Sequence, residues 1–150
     1  MSPRNFSALA RSQLTAHANA LSILGLLFLG VFIALPAFSP GILMGWDSPG
    51  HLVKTQFLVE ALLPNGQWNG WFPYWHSGFG LFDLYPPGFY VFAALLHFAS
   101  MGLLSVSAAF KLAAILAFAL VAPASYLLLR SFGVSRLGAV FGGIFSLLVG

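Results

Sequence analysis

LSILGLLFLGVFIALPAF, residues 21–38, carries no charged side chain and a single hydroxyl, Ser22. Eighteen such residues come close to the ~20 that an α-helix needs to cross a ~30 Å hydrocarbon layer. Upstream, residues 1–20 are polar, with Arg4 and Arg11 and no acid. A basic stretch before an apolar run also describes a secretory signal. The exit from Leu35 to Pro40, however, lacks a small-x-small cleavage pattern and ends in a proline that suits a helix stop. An uncleaved first span over 21–38 is expected, with its arginines holding 1–20 in the cytoplasm.

The rest of the chain fits a membrane protein. It is 59% apolar and 6% charged, with a mean hydropathy of +0.92. Soluble domains carry about 25% charged residues, so this composition is too poor in charge for an all-aqueous surface. The net charge of +3 is spread over very few groups. No basic patch argues for nucleic acid as a partner, and membrane lipids are the partner expected. Without cysteine, thiolate metal sites, thiol nucleophiles and disulfides are excluded.

Residues 39–86 differ from their surroundings. They hold all three carboxylates (Asp47, Glu60, Asp83), all four tryptophans and two of the four histidines. Charges are costly at mid-bilayer and tryptophans favour the headgroup layer, so an extracytoplasmic loop along the membrane surface is expected. Pro86 and Pro87 then open a second apolar run, 87–104, broken only by His97 and Ser100. A third, 108–129, has Lys111 near its start, placed to snorkel to cytoplasmic headgroups. Arg130 to Arg136 connect to a fourth run, 137–150, whose Gly138 and Gly142 have small-xxx-small spacing. That run is 14 residues long, short of a span, which leads us to expect a longer protein. The expected fold class is all-α and polytopic, with spans at 21–38, 87–104 and 108–129. If all three cross, Arg130 and Arg136 fall outside, against the positive-inside rule. A re-entrant second segment removes that conflict. Three full spans are retained because 18 apolar residues just suffice and Lys111 then lies inside.

Within the loop, Ser48-Pro49 starts a helix over 49–63 that Pro64-Asn65-Gly66 ends. At 100° per residue His51, Lys54 and Thr55 share a face that Asp47 can reach, opposite a Leu, Val and Phe face suited to the membrane interface. Glu60 points away. Two roles stay open for Asp47: cap of this helix, or general base or metal ligand beside a low-dielectric boundary. His51 either orients a phosphate, shares a metal or is simply solvated. Trp68, Trp71 and Trp75 offer a stacking platform for a sugar, or anchor in lipid. His76 and Asp83 lack the paired spacing of a metal motif.

Trp46-Asp47-Ser-Pro-Gly-His51, then Trp71-Phe-Pro-Tyr-Trp75, Gly78-Phe-Gly80 and Tyr85-Pro-Pro-Gly-Phe-Tyr90, follow one N-terminal span. This order resembles the first outer loop of the GT-C superfamily of membrane glycosyltransferases. It is most similar to the branch called 6-pyruvoyl-tetrahydropterin synthase-related membrane proteins, for which no pterin chemistry is implied. The resemblance covers about residues 20–145. It implies a GT-C-like set of N-terminal helices and an acidic residue in the first outer loop that serves as catalytic base or helps hold the acceptor, the position of Asp47. It also implies a sugar donor on polyprenyl phosphate, with His51, Lys54, Trp75, His76 and Tyr85 as substrate-binding residues. Lys54 is then the partner of the lipid phosphate. The chain lacks an Asp-Asp or Glu-x-Asp pair beside Asp47, which leaves a divalent metal ion open. Two readings without covalent chemistry stand beside this one: a transporter or lipid-linked polymer handling protein, which predicts polar residues within spans, and a structural membrane subunit.

Overall fold

The computed structural model describes residues 3–43, 45, 47–75 and 77–149, with side chains from residue 13 onward. It is mostly helical, 75% helix against 3% strand, and two of its helices are long and apolar enough to cross a membrane. The chain divides into two compact units, Met1–Ala34 with Leu116–Gly150, and Leu35–Ile115.

The first unit comprises α1 (Pro3–Ala34), the later part of α5 (Val106–Ser131) and α6 (Arg136–Val149). Helix α1 begins well before the apolar run, because the polar lead is rich in alanine and has proline at its first helical position. Asn19 Oδ1 accepts a hydrogen bond from the Tyr126 hydroxyl at 2.8 Å and from Arg136 Nε at 3.4 Å. Further along, Gly30 lies against Ala119, where an added Cβ would come within 2.7 Å of the Ala119 Cα. Rising numbers on α1 therefore meet falling numbers on α5, and the two helices are antiparallel. Pro123 of α5 has no N–H to offer the Ala119 carbonyl, and that carbonyl faces Gly30. Gly143 similarly adjoins the Ala122 carbonyl and Leu26. Ala119, Ala122, Ala139 and Tyr126 are fully buried among these helices. Of the expected small-residue pair, Gly142 abuts Leu129, whereas Gly138 meets only Val134 and Ser135 just ahead of it.

The second unit begins with a 3₁₀ turn (Leu35–Phe38) and contains α2 (Ser48–Phe57), which continues through a π-helical turn (Leu58–Leu62) and a 3₁₀ turn (Leu63–Asn65). Pro64 cannot donate a backbone hydrogen bond; Asn65 Nδ2 instead serves the Ala61 carbonyl at 2.8 Å, and Gly66 ends the helical path at φ +68°. A short antiparallel hairpin pairs β1 (Trp71–Phe72) with β2 (Phe79–Gly80). Helices α3 (Leu81–Leu84) and α4 (Gly88–Ala99) follow. Leu58, Val59, Leu62, Phe72, Leu81, Tyr90, Ala94 and Val106 form the core.

One expectation is corrected here. The run 87–104 is helical only over Gly88–Ala99, about 18 Å of helix, which is too short to span ~30 Å. The cause is local. Met101 (φ +52°) and Gly102 (φ +80°) turn left-handed, while His97 and Ser100 close the turn. Ser100 Oγ accepts the Leu104 amide, and His97 Nδ1 sits 2.7 Å from the Leu104 carbonyl. Lys111 is buried near the start of α5. Its ε-amino group donates to the Ser39 carbonyl at 2.6 Å, just beyond the distal end of the first apolar segment. Lys111 and Arg130 are separated by about 28 Å of helix.

Candidate functional site

Asp47 is the residue before α2, and its backbone carbonyl accepts the His51 amide at 2.9 Å. Its side chain makes no capping hydrogen bond and is exposed. Of the two roles left open by the sequence, side-chain capping is therefore not the one adopted. Helix initiation falls to Pro49, whose fixed φ suits the first turn.

Helix α2 turns its polar stripe inward as well as its apolar one, unlike an amphipathic helix resting on a bilayer. Leu52, Lys54, Thr55, Leu58, Val59 and Leu62 are buried, while Val53 and Glu60 face out. Each polar group has a local answer. The Thr55 hydroxyl donates to the His51 carbonyl at 2.9 Å. Lys54, only 3% exposed, has its Nζ 4.2 Å from the Tyr85 ring centre, 5.1 Å from Trp75 and 5.9 Å from Phe72, with the Gly50 carbonyl at 3.4 Å. Aromatic faces attract such a cation through their quadrupoles. Burial lowers the Lys54 pKa, and the Asp47 charge opposes that shift. The cation is thus enclosed by rings.

His51 Nδ1 lies 2.6 Å from the Tyr90 hydroxyl. Its ring also meets Tyr85 edge-on at 5.9 Å. Burial first, and the Lys54 charge second, hold its pKa below the ordinary value of 6.5 against the opposing pull of Asp47. These three side chains stand on a groove of about 440 Å³ whose other walls include Leu43, Pro86, Phe89, Phe110 and Ala114. The surface of the groove is almost wholly apolar. Asp47 is one helical turn before His51 and does not line it.

The tryptophan platform is partly engaged. Trp68 stacks on Phe82 at 6.0 Å and 19°, and Trp71 packs beside Gly78, which has φ +95°. Trp68, Trp71 and Trp75 retain exposed faces. Asp83 has a structural part: Asn69 Nδ2 donates to it at 3.1 Å, while Asn69 Oδ1 accepts the amides of Gly70 and Phe82. His76 and Trp46 lie outside the described residues. Among the described residues no three His, Asp or Glu side chains come together.

The structure thus brings together His51, Lys54, Trp75 and Tyr85, with Asp47 alongside. Sequence reasoning missed Tyr90, 39 residues from His51. Its only sequence signal is its place at the end of Tyr85-Pro-Pro-Gly-Phe-Tyr90. In comparisons with known proteins, no family model matched the chain, and no curated protein or solved structure matched it.

Proposed function

We propose that this chain serves a GT-C-type membrane glycosyltransferase activity, moving a sugar from a polyprenyl-phosphate donor to a hydroxyl at the outer face of the cell membrane. The observation that carries this reading is an exposed, uncapped carboxylate, Asp47, one turn from a histidine that borders an apolar groove. In the proposed step, Asp47 takes the proton of the acceptor hydroxyl as its oxygen attacks the anomeric carbon. The bond from that carbon to the donor phosphate breaks, the phosphate leaves with the electron pair, and the configuration inverts. The groove suits the apolar part of a lipid-linked donor, and Tyr85, Trp75 and neighbouring aromatic faces suit a sugar ring.

A membrane placement accompanies this reading: α1 crosses outward, residues 39–105 stay outside, and α5 returns. Support comes from charge. Arg4 and Arg11 precede the first apolar segment, and Arg136 bonds Asn19 near that same end. All four arginines then fall on the cytoplasmic side, while Lys111 meets Ser39 at the other end. The ~28 Å between Lys111 and Arg130 approximates the hydrocarbon thickness.

Asp47→Asn in the protein as expressed in membranes is the test. Transfer of labelled sugar from a polyprenyl-phosphate donor is expected to fall by about 10²–10⁴-fold with insertion unchanged. Undiminished transfer would remove Asp47 from the reaction.

A further inference from the structure

We infer that Tyr90 is a positioning residue that fixes the tautomer of His51, so that Nε2–H points its hydrogen bond toward a ligand oxygen in the groove. The inference rests on the groove being the binding site. It adds a residue and a polarity that neither the sequence motifs nor the proposed reaction assigns.

The Tyr90 hydroxyl and His51 Nδ1 are 2.6 Å apart, and one of them must supply the hydrogen. If Nδ1–H donated, the phenolic hydrogen would need another acceptor. Tyr90 is 3% exposed, and its hydroxyl has no other hydrogen-bond partner among the described residues. A buried hydroxyl left without an acceptor is costly. Donation from Tyr90 to Nδ1 satisfies both groups at once. The neutral imidazole then carries its hydrogen on Nε2, which has no protein partner among the described residues.

The charges around the ring agree with a neutral imidazole. Lys54, one turn along α2, disfavours a second positive charge, and burial acts in the same direction, with Asp47 in opposition. The ring is held edge-on by Tyr85 and tilted against Tyr90 at 5.8 Å, so its orientation is set by packing as well as by the hydrogen bond. The groove thereby offers one oriented donor among apolar walls. That arrangement suits an amphiphile whose oxygen accepts from His51 while its apolar body lies on Phe89 and Phe110.

Nitrogen NMR of the chain in lipid nanodiscs, with ¹⁵N-labelled histidine, tests this without substrate or activity. His51→Gln identifies the His51 signals among the four histidines. At neutral pH we expect a pyridine-type Nδ1 and a pyrrole-type Nε2. In Tyr90→Phe the tautomer ratio should shift roughly fivefold, the equivalent of one neutral hydrogen bond. A pyrrole-type Nδ1 in the unsubstituted protein would overturn the inference, as would an unchanged ratio in Tyr90→Phe. If that variant does not fold, the unsubstituted spectrum alone decides. Loss of the transferase reading in the Asp47→Asn assay would leave the NMR result standing, so the two failures are distinguishable.

Discussion

The unit of α1, α6 and the later part of α5 and the unit 35–115 are both built from apolar residues, yet they achieve specificity by different means. Among the helices, backbones approach one another: Gly30 on Ala119 and Gly143 on the Ala122 carbonyl leave no room for a Cβ. Their side-chain polar contacts are few, notably Tyr126 and Arg136 on Asn19. In the segment 35–115, aromatic rings meet edge to face. Phe57 packs on Phe72, Phe72 on Tyr74 and Phe89 on Phe110, all within about 5.5 Å. Polar tips are threaded between such rings. Under the proposed membrane placement, the difference follows from the solvent each unit would meet. Helices in lipid gain nothing by hiding apolar surface from apolar surroundings, so close van der Waals fit selects the packing. A folded segment at a water boundary can use directional contacts and buried polar pairs.

The sharpest way to break this contrast is to ask which side of a membrane each part faces. The chain has no cysteine, so Met101→Cys and Phe132→Cys are clean reporters, both at exposed positions. Membrane-impermeant thiol reagent should label the first from outside and the second only after the membrane is opened. Labelling of both from outside would refute a single return crossing by α5.

Next in size is Gly30→Leu. Its Cβ would come within 2.7 Å of the Ala119 backbone, and overpacking of this kind costs about 1–3 kcal/mol. Gly25→Ala, with open space around its Cβ, should be neutral or mildly stabilising. Equal losses in a detergent unfolding titration would show that close approach is not what joins these helices.

In the aromatic segment, Asn69→Ala removes the acceptor of two amides and the donor to Asp83. A loss of about 1–2 kcal/mol is expected, read as increased hydrogen exchange at Gly70 and Phe82. Unchanged exchange at those amides would mean that Asn69 does not hold the hairpin.

The smallest effect is on pH dependence. His51 has a folded-state pKa below its ordinary 6.5, so the unfolded chain binds the proton more readily. The His51 contribution to stability should be level above pH 6.5 and decline as pH falls below it, toward the folded-state value. Thermal unfolding of His51→Gln should show a shallower acid-side decline. An identical profile would assign the pH dependence elsewhere.

Much of the architecture was legible in the amino-acid order. The uncharged run at 21–38, the carboxylates gathered into 39–86, the helix after Ser48-Pro49 and its end at Gly66 all follow from local propensity and the cost of charge in hydrocarbon. The extent of the segment at 87–104 was misread, because hydropathy does not register a left-handed turn at Met101 and Gly102 closed by His97 and Ser100. The bond from Lys111 to the Ser39 carbonyl, 72 residues away, was likewise beyond the reach of hydropathy.

For the site, composition and motif order were enough to single out Asp47, His51, Lys54 and Tyr85, since polar residues near an apolar helix need a partner or water. Which partner each takes is a matter of distance in space. Helical periodicity put Lys54 on the same face as His51, but only the packed chain encloses its charge among Tyr85, Trp75 and Phe72. Tyr90 meets His51 from 39 residues away. A one-dimensional pattern reports what a residue prefers to touch; which residue comes within 2.6 Å of it depends on how separate elements pack.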